Sequence, residues 1–253
     1  MTRAVPPSHP GRWAVVPVKR AARSKTRLGP MLGCLREEFA RDLSLNTIEI
    51  IRASGLFEVV LVVTSDPLIH ASCTAAGVIA HDDQDLPLNG ACELGLSLAA
   101  AHGCDFASIV HSDLATIDTC TLEGILAQFG AHRARHGHDV IGLVRCKEGS
   151  GTNMVLLDPR LPFAPAFGPG SFAAHARQVG ARGHELAGGE AAFDIDSPTD
   201  LMRLLRVAPA LRWTARYASL IRAASTCSMN MTEREIARQD SETIGELALS
   251  QHL

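Results

Sequence analysis

The sequence predicts an α/β fold, a mostly parallel sheet flanked by helices, and three observations predict it. Short apolar runs alternate with longer segments of helical periodicity. The run Val59–Val63 is apolar at consecutive positions and mostly β-branched, as in a strand covered on both faces. Segments rich in glycine, hydroxyls, cations or carboxylates follow those runs, and open α/β sheets bind ligands at the carboxyl ends of their strands.

Trp13–Val18 reads as the first buried strand. Residues 35–54 place Phe39, Leu43, Leu45, Ile48 and Ile51 on a helical stripe, and Val59–Val63 is the next strand. Ser65-Asp66-Pro67 opens a helix that Gly77 ends. Val78–Ala80 is a short strand and Asn89–Ala101 a helix. Phe106–Val110 is a central strand ending at His111-Ser112-Asp113, and Thr119–Phe129 is helical. Val140–Val144 and Asn153–Leu157 are strands joined by a polar segment, which predicts an antiparallel excursion in the sheet. Helices begin near Ser171 and after Pro198.

The 253 residues, 46% hydrophobic, suffice for one large domain with an appendage. We expect a flexible, proline-rich segment over 1–12, the α/β domain over 13–210, and a C-terminal helical extension or tail over 211–253. That tail is charged, with sparse apolar residues at Ile236, Ile244, Leu247 and Leu249. A net charge of −3 argues against a broad nucleic-acid surface. No segment has the pattern of a secretion signal, and no run reaches the ~18 apolar residues of a membrane helix. Seven dispersed cysteines without CxxC spacing read as reduced thiols, which places the chain in a cytoplasm. The eleven histidines and seven cysteines show no zinc-ligand spacing. GxxxxGK[ST], GxGxxG after the first strand and GxSxG are all absent.

Lys19, Arg20, Arg23, Lys25 and Arg27 follow the first strand, placed to hold nucleotide phosphates or to form a solvated basic loop. Asp113 ends the central strand, as a Mg²⁺ ligand or as the cap of the next turn. Asp194 and Asp196 share a face if their segment is extended, whereas Ser197-Pro198 is also an ordinary helix start. Ser171 follows Gly168-Pro169-Gly170 at a helix N-terminus, where an anion would meet free N–H groups. Gly151-Thr152 is a second hydroxyl-bearing turn. His111 is either a base or a packing residue.

Together these segments resemble a known family. They are Pro17-Val18-Lys19 with Ser24–Leu28, Leu88-Asn89-Gly90-Ala91, Ser112-Asp113-Leu114, Gly151-Thr152-Asn153, Phe167–Phe172 with His175, and Asp194–Leu201. They are similar to the 2-phospho-L-lactate guanylyltransferases of coenzyme F420 biosynthesis. Ala115, where the family carries proline, is a departure.

The resemblance implies a nucleotidyltransferase of the glycosyltransferase-A, Rossmann-like type. It implies GTP, Mg²⁺ and a small phosphorylated three-carbon acid: 2-phospho-L-lactate, phosphoenolpyruvate or 3-phospho-D-glycerate. Thr152, Gly168 and Ser171 would hold the acid. Asp113 and one of Asp194 and Asp196, with Asp196 favoured, would hold Mg²⁺. Lys19, Lys25 and Arg27 would be catalytic. Lys19, Lys25, Leu88 and Asn89 would bind the nucleotide, with Asn89 reading guanine. It further implies hand-over of the product to the next F420 transferase, and a homodimer is compatible with it. The rivals are a molybdenum-cofactor-type guanylyltransferase, whose GxG first loop is missing here, and a catalytically silent GTP-binding subunit.

Overall fold

The computed structural model describes residues 11–207, 213–217 and 219. The expectations for residues 1–10 and for the tail from 220 onward lie outside them. The chain divides into two compact units, Met1–Leu204 and Leu205–Leu253. In the second, the described residues include a helical stretch over 213–217, where Trp213 and Tyr217 meet edge-on.

The first unit is built on seven strands: β1 (Arg12–Pro17), β2 (Val59–Val63), β3 (Ile79–His81), β4 (Phe106–Val110), β5 (Ile141–Arg145), β6 (Thr152–Leu157) and β7 (Gly183–Leu186). Their order is β3-β2-β1-β4-β6-β5-β7. The β3-β2-β1-β4 half is parallel, β6 runs antiparallel to both β4 and β5, and β7 is parallel to β5. The predicted antiparallel excursion is the β5–β6 hairpin. The edge strand β7 was not legible, because its four residues carry two polar side chains and no apolar run.

The helices are α1 (Gly29–Leu32), α2 (Arg36–Ala53), α3 (Pro67–Ala75), α4 (Leu88–Ala101), α5 (Thr119–His136), α6 (Ser171–Val179) and α7 (Pro198–Val207). Asp66 caps α3 by accepting the N–H groups of Leu68 and Ile69, with proline in the first turn, as the sequence predicts. Helix α5 outruns its predicted end at Phe129, since nothing breaks it before Gly137, whose φ of 89° closes the last turn.

Strand periodicity sorts the core into two layers. Ala14 and Val16 of β1, Val60 and Val62 of β2, and Met154 and Leu156 of β6 face one side with Ile48 and Ile51 of α2 and Ile125 and Phe129 of α5. Trp13, Val15, Leu61, Val63, Val155 and Leu157 face the other, with Ala91, Leu96 and Ala99 of α4 and Phe172 of α6. A sheet covered on both faces leaves the strand ends as its open polar surface. Among the described residues, no helix is long and apolar enough to cross a membrane.

Candidate active site

The strand order reverses between β1 and β4, and the loops that leave their carboxyl ends border an open cleft of about 570 Å³. Crevices of this kind are the ligand sites of doubly wound sheets. Lys19, Lys25, Arg27, Leu88, Asp113, Thr152, Gly168, Ser171, Asp194 and Asp196 all line it. Asn89, expected to read guanine, and Arg20 of the basic loop are absent from the wall.

One wall is acidic. Asp113 follows β4, and the backbone N–H of Ile195 donates to the Asp113 carbonyl (3.3 Å), drawing the 194–196 segment alongside. Ile195 is buried, so the aspartates on either side of it point toward the cleft. One carboxylate oxygen from each of Asp113, Asp194 and Asp196 falls within 4.8 Å of the others. Burial, then the Asp113 charge, push the Asp194 carboxyl up to about 6. Burial also acts against ionisation of Asp113, but the Lys25 ammonium and His111 hold its pKa below the ordinary value.

Lys25 Nζ lies 2.5 Å from Asp113 Oδ2 and 2.8 Å from Asp196 Oδ1, its side chain only 8% exposed. It adopts a left-handed backbone (φ 51°), a strained conformation for a non-glycine residue. Burial would discharge this ammonium, but the two carboxylates outweigh it and push its pKa up to about 12. The three carboxylates suit a hard divalent cation. Asp113 Oδ1 is buried without a hydrogen-bond partner, and an ammonium already sits between two of the acids, so the cluster demands positive charge.

Another part of the lining carries hydroxyls. Ser171 Oγ accepts the Thr152 N–H (2.9 Å), which leaves the serine proton free to donate. Thr152 Oγ1 lies 2.9 Å from His175 Nδ1, and His175 Nε2 accepts the Ala166 N–H (2.9 Å). The neutral imidazole therefore carries its proton on Nδ1 and donates to Thr152, whose own hydroxyl proton is left free. Burial, then His111, lower the His175 pKa to about 4, which keeps the ring neutral.

Residues 12–211 match the family described as Guanylyl transferase CofC like. The chain belongs to this family. It is 34% identical to the phosphoenolpyruvate guanylyltransferase of Thermomonospora curvata over 86% of this chain and 94% of that one. It is 29% identical to the 3-phospho-D-glycerate guanylyltransferase of Phenylobacterium zucineum over 81% and 94%. The solved 4-diphosphocytidyl-2C-methyl-D-erythritol synthase superposes with a TM-score of 0.53 at 14% identity, covering 78% of this chain and 99% of that one. That likeness shows the nucleotidyltransferase fold.

Two expectations for this CofC-like site are corrected. Asn89 does not face the cleft: its amide accepts the Phe167 N–H (2.8 Å) and donates to the Phe167 carbonyl (3.3 Å), pinning the Gly168–Ser171 loop to α4. The α6 N-terminus is also less open than a bare helix end. The Ser171 N–H turns to the Gly168 carbonyl (3.1 Å) and the Phe172 N–H to the Ser150 carbonyl (3.1 Å), so hydroxyls form much of this wall. The basic loop divides as well. Arg20 pairs with Asp85 (2.8 Å) and does not line the cleft, whereas Lys19, Arg23, Lys25 and Arg27 do.

Several contacts that hold the site were not legible in the sequence, although some of the residues that make them were. Arg36, at the start of α2, donates to the carbonyls of Ala21 (3.0 Å), Ala22 (3.1 Å) and Ser24, clamping the basic loop from behind. Asp66 adds the Ala21 N–H (3.0 Å). Asn153 Nδ2 donates to Asp194 Oδ1 (3.3 Å) and the Ala191 carbonyl (3.1 Å). Ser197 and Asp200 form a reciprocal capping box at α7, which fixes the residue next to Asp196. The helix starts at Asp66 and Ser197 were legible in the sequence; the clamp by Arg36 and the Asn153–Asp194 bond had no local signal.

Proposed function

We propose that this chain transfers the guanylyl group of GTP to the phosphate of a small phosphorylated three-carbon acid, releasing pyrophosphate. The observation that carries the reading is one cleft lined by a three-carboxylate cluster, an ammonium between two of its acids, and oriented hydroxyls.

A phosphate oxygen of the acid attacks the α-phosphorus, the bond to the bridging oxygen breaks, and pyrophosphate leaves with its electron pair. The attacking oxygen is already anionic, so no protein nucleophile or base is required. The chain's task is positioning and charge neutralisation. Asp113, Asp194 and Asp196 would hold Mg²⁺, which supplies Lewis-acid neutralisation of the triphosphate when bound. Lys19, Lys25 and Arg27 neutralise the α-phosphate and the leaving pyrophosphate. Thr152, Ser171 and the exposed Gly168 receive the acid. The packing reading of His111 is favoured over a base because its ring sits on Phe167 with centroids 4.8 Å apart and the reaction requires no base.

The names carried by the relatives favour phosphoenolpyruvate and 3-phospho-D-glycerate as acceptors. The test offers GTP and Mg²⁺ with each of these and with 2-phospho-L-lactate separately, and follows pyrophosphate. Release that requires one acid supports the reading and names the acceptor; release with none of them overturns it. Asp113→Asn is expected to lower turnover by about 10²–10³ while the melting temperature holds, as for loss of one preorganised charge-stabilising group.

A further inference from the structure

Outside the cleft, three histidines distant in sequence meet on one side of the sheet. His132 and His136 lie one turn apart on α5, so both project from one face of the helix. His184 lies on β7, two residues before Leu186, and the pleat turns both toward the layer that contains α5. Gln128, one turn before His132, fixes the alignment by bonding both backbone groups of Ala187 (2.9 and 3.3 Å). The His184 ring stacks between the other two, with centroids 4.1 Å from His132 and 5.0 Å from His136. One ring nitrogen from each lies within 4.8 Å of the others. His132 Nδ1 is buried and has no hydrogen-bond partner.

We infer that His132, His136 and His184 form a second metal site, selective for a late first-row divalent ion such as Zn²⁺. Neutral imidazole is a borderline-soft donor that suits zinc, nickel or copper and not Mg²⁺. Three nitrogens at about 2.0–2.1 Å from tetrahedral zinc stand roughly 3.4 Å apart. The three rings are stacked (interplanar angles 22°, 28° and 22°), so His136 and at least one of its neighbours turn about their side-chain bonds to aim their in-plane nitrogens at a common point, and water takes the fourth position. The ion would fasten the edge strand β7, whose only sheet partner among the described residues is β5, to α5. Both elements lead to the cleft: α5 begins shortly after Asp113, and β7 runs on to Asp194.

The test uses tag-free protein stripped with chelator and held in excess Mg²⁺, which occupies the carboxylate cluster. Titration is with Zn²⁺, and with Co²⁺ as a visible reporter of tetrahedral geometry. One equivalent of Zn²⁺ per chain, a tetrahedral Co²⁺ band and a raised melting temperature are expected. His136→Ala and His184→Gln should each abolish the band and weaken Zn²⁺ by more than the ~10–100-fold that outer-shell partners carry. Both should retain guanylyl transfer in Mg²⁺. Failure to bind Zn²⁺ under excess Mg²⁺ overturns the site. So does undiminished binding by both variants, which would place the ion on the aspartates or a cysteine. Neither result bears on the proposed transfer reaction, which the pyrophosphate assay tests separately.

Discussion

Thr152 shows how a residue visible in the sequence depends on one whose role was not. Its place in a hydroxyl-bearing turn was legible; the direction of its hydroxyl is set by His175, through a tautomer that the Ala166 N–H dictates. A buried neutral histidine leaves a signature in stability. The His175 pKa falls from the ordinary 6.5 to about 4, so between those values the unfolded chain binds the extra proton. Its contribution is therefore full above pH 6.5 and is lost as pH falls toward 4. His175→Asn should flatten that part of the stability–pH curve in urea unfolding, and should cost about 1 kcal/mol at neutral pH through the lost hydrogen bond. Parallel curves for the two proteins would exclude the histidine as the titrating group. The acidic residues were legible for a simpler reason. Asp113, Asp194 and Asp196 follow apolar or capped segments, and carboxylates in such places serve a ligand or a helix start. Their convergence required the Ile195–Asp113 backbone bond, which leaves no trace in either local sequence.

At the scale of elements, strands and helices were readable from periodicity, whereas the devices that aim the loops were not. Arg36 reads as an ordinary charge at the start of an amphipathic helix, yet its guanidinium holds three carbonyls of the loop that carries Lys25. Arg36→Lys retains the charge but cannot span three acceptors, since an ammonium lacks the planar fork. We expect it to lower kcat/KM for GTP by about 10²-fold through misplacement of Lys25, with the circular dichroism spectrum unchanged. Wild-type kinetics would show that the loop is positioned without the clamp. Gly95 marks the opposite kind of demand. It lies in α4 where a Cβ would stand 2.3 Å from Val15 Cγ1, so the helix rests directly on β1. Gly95→Ala gains helix propensity but overpacks this contact, and a net loss of about 1–3 kcal/mol is expected in chemical denaturation. A stabilised variant would mean that the layer yields more easily than a close-packed core should.

For the whole molecule, the alternation of strands and helices dictated a layered sheet, but sheet order and the β7 edge emerged only from long-range pairing. The same distance in sequence hid the histidine cluster. The spacing of four between His132 and His136 is visible but is only a pair, because the third ring comes from another element far along the chain at His184. Among the described residues, the lining of the cleft runs from Pro17 to Asp200, within the unit Met1–Leu204. A chain ending after Cys227 should therefore keep wild-type pyrophosphate release. Its mass in solution reports separately on association. An unchanged mass excludes residues 228–253 as the sole cause of any oligomer, while a shift to monomer with activity intact assigns them to assembly. Loss of turnover in a folded, truncated chain would make the C-terminal segment part of the catalytic unit.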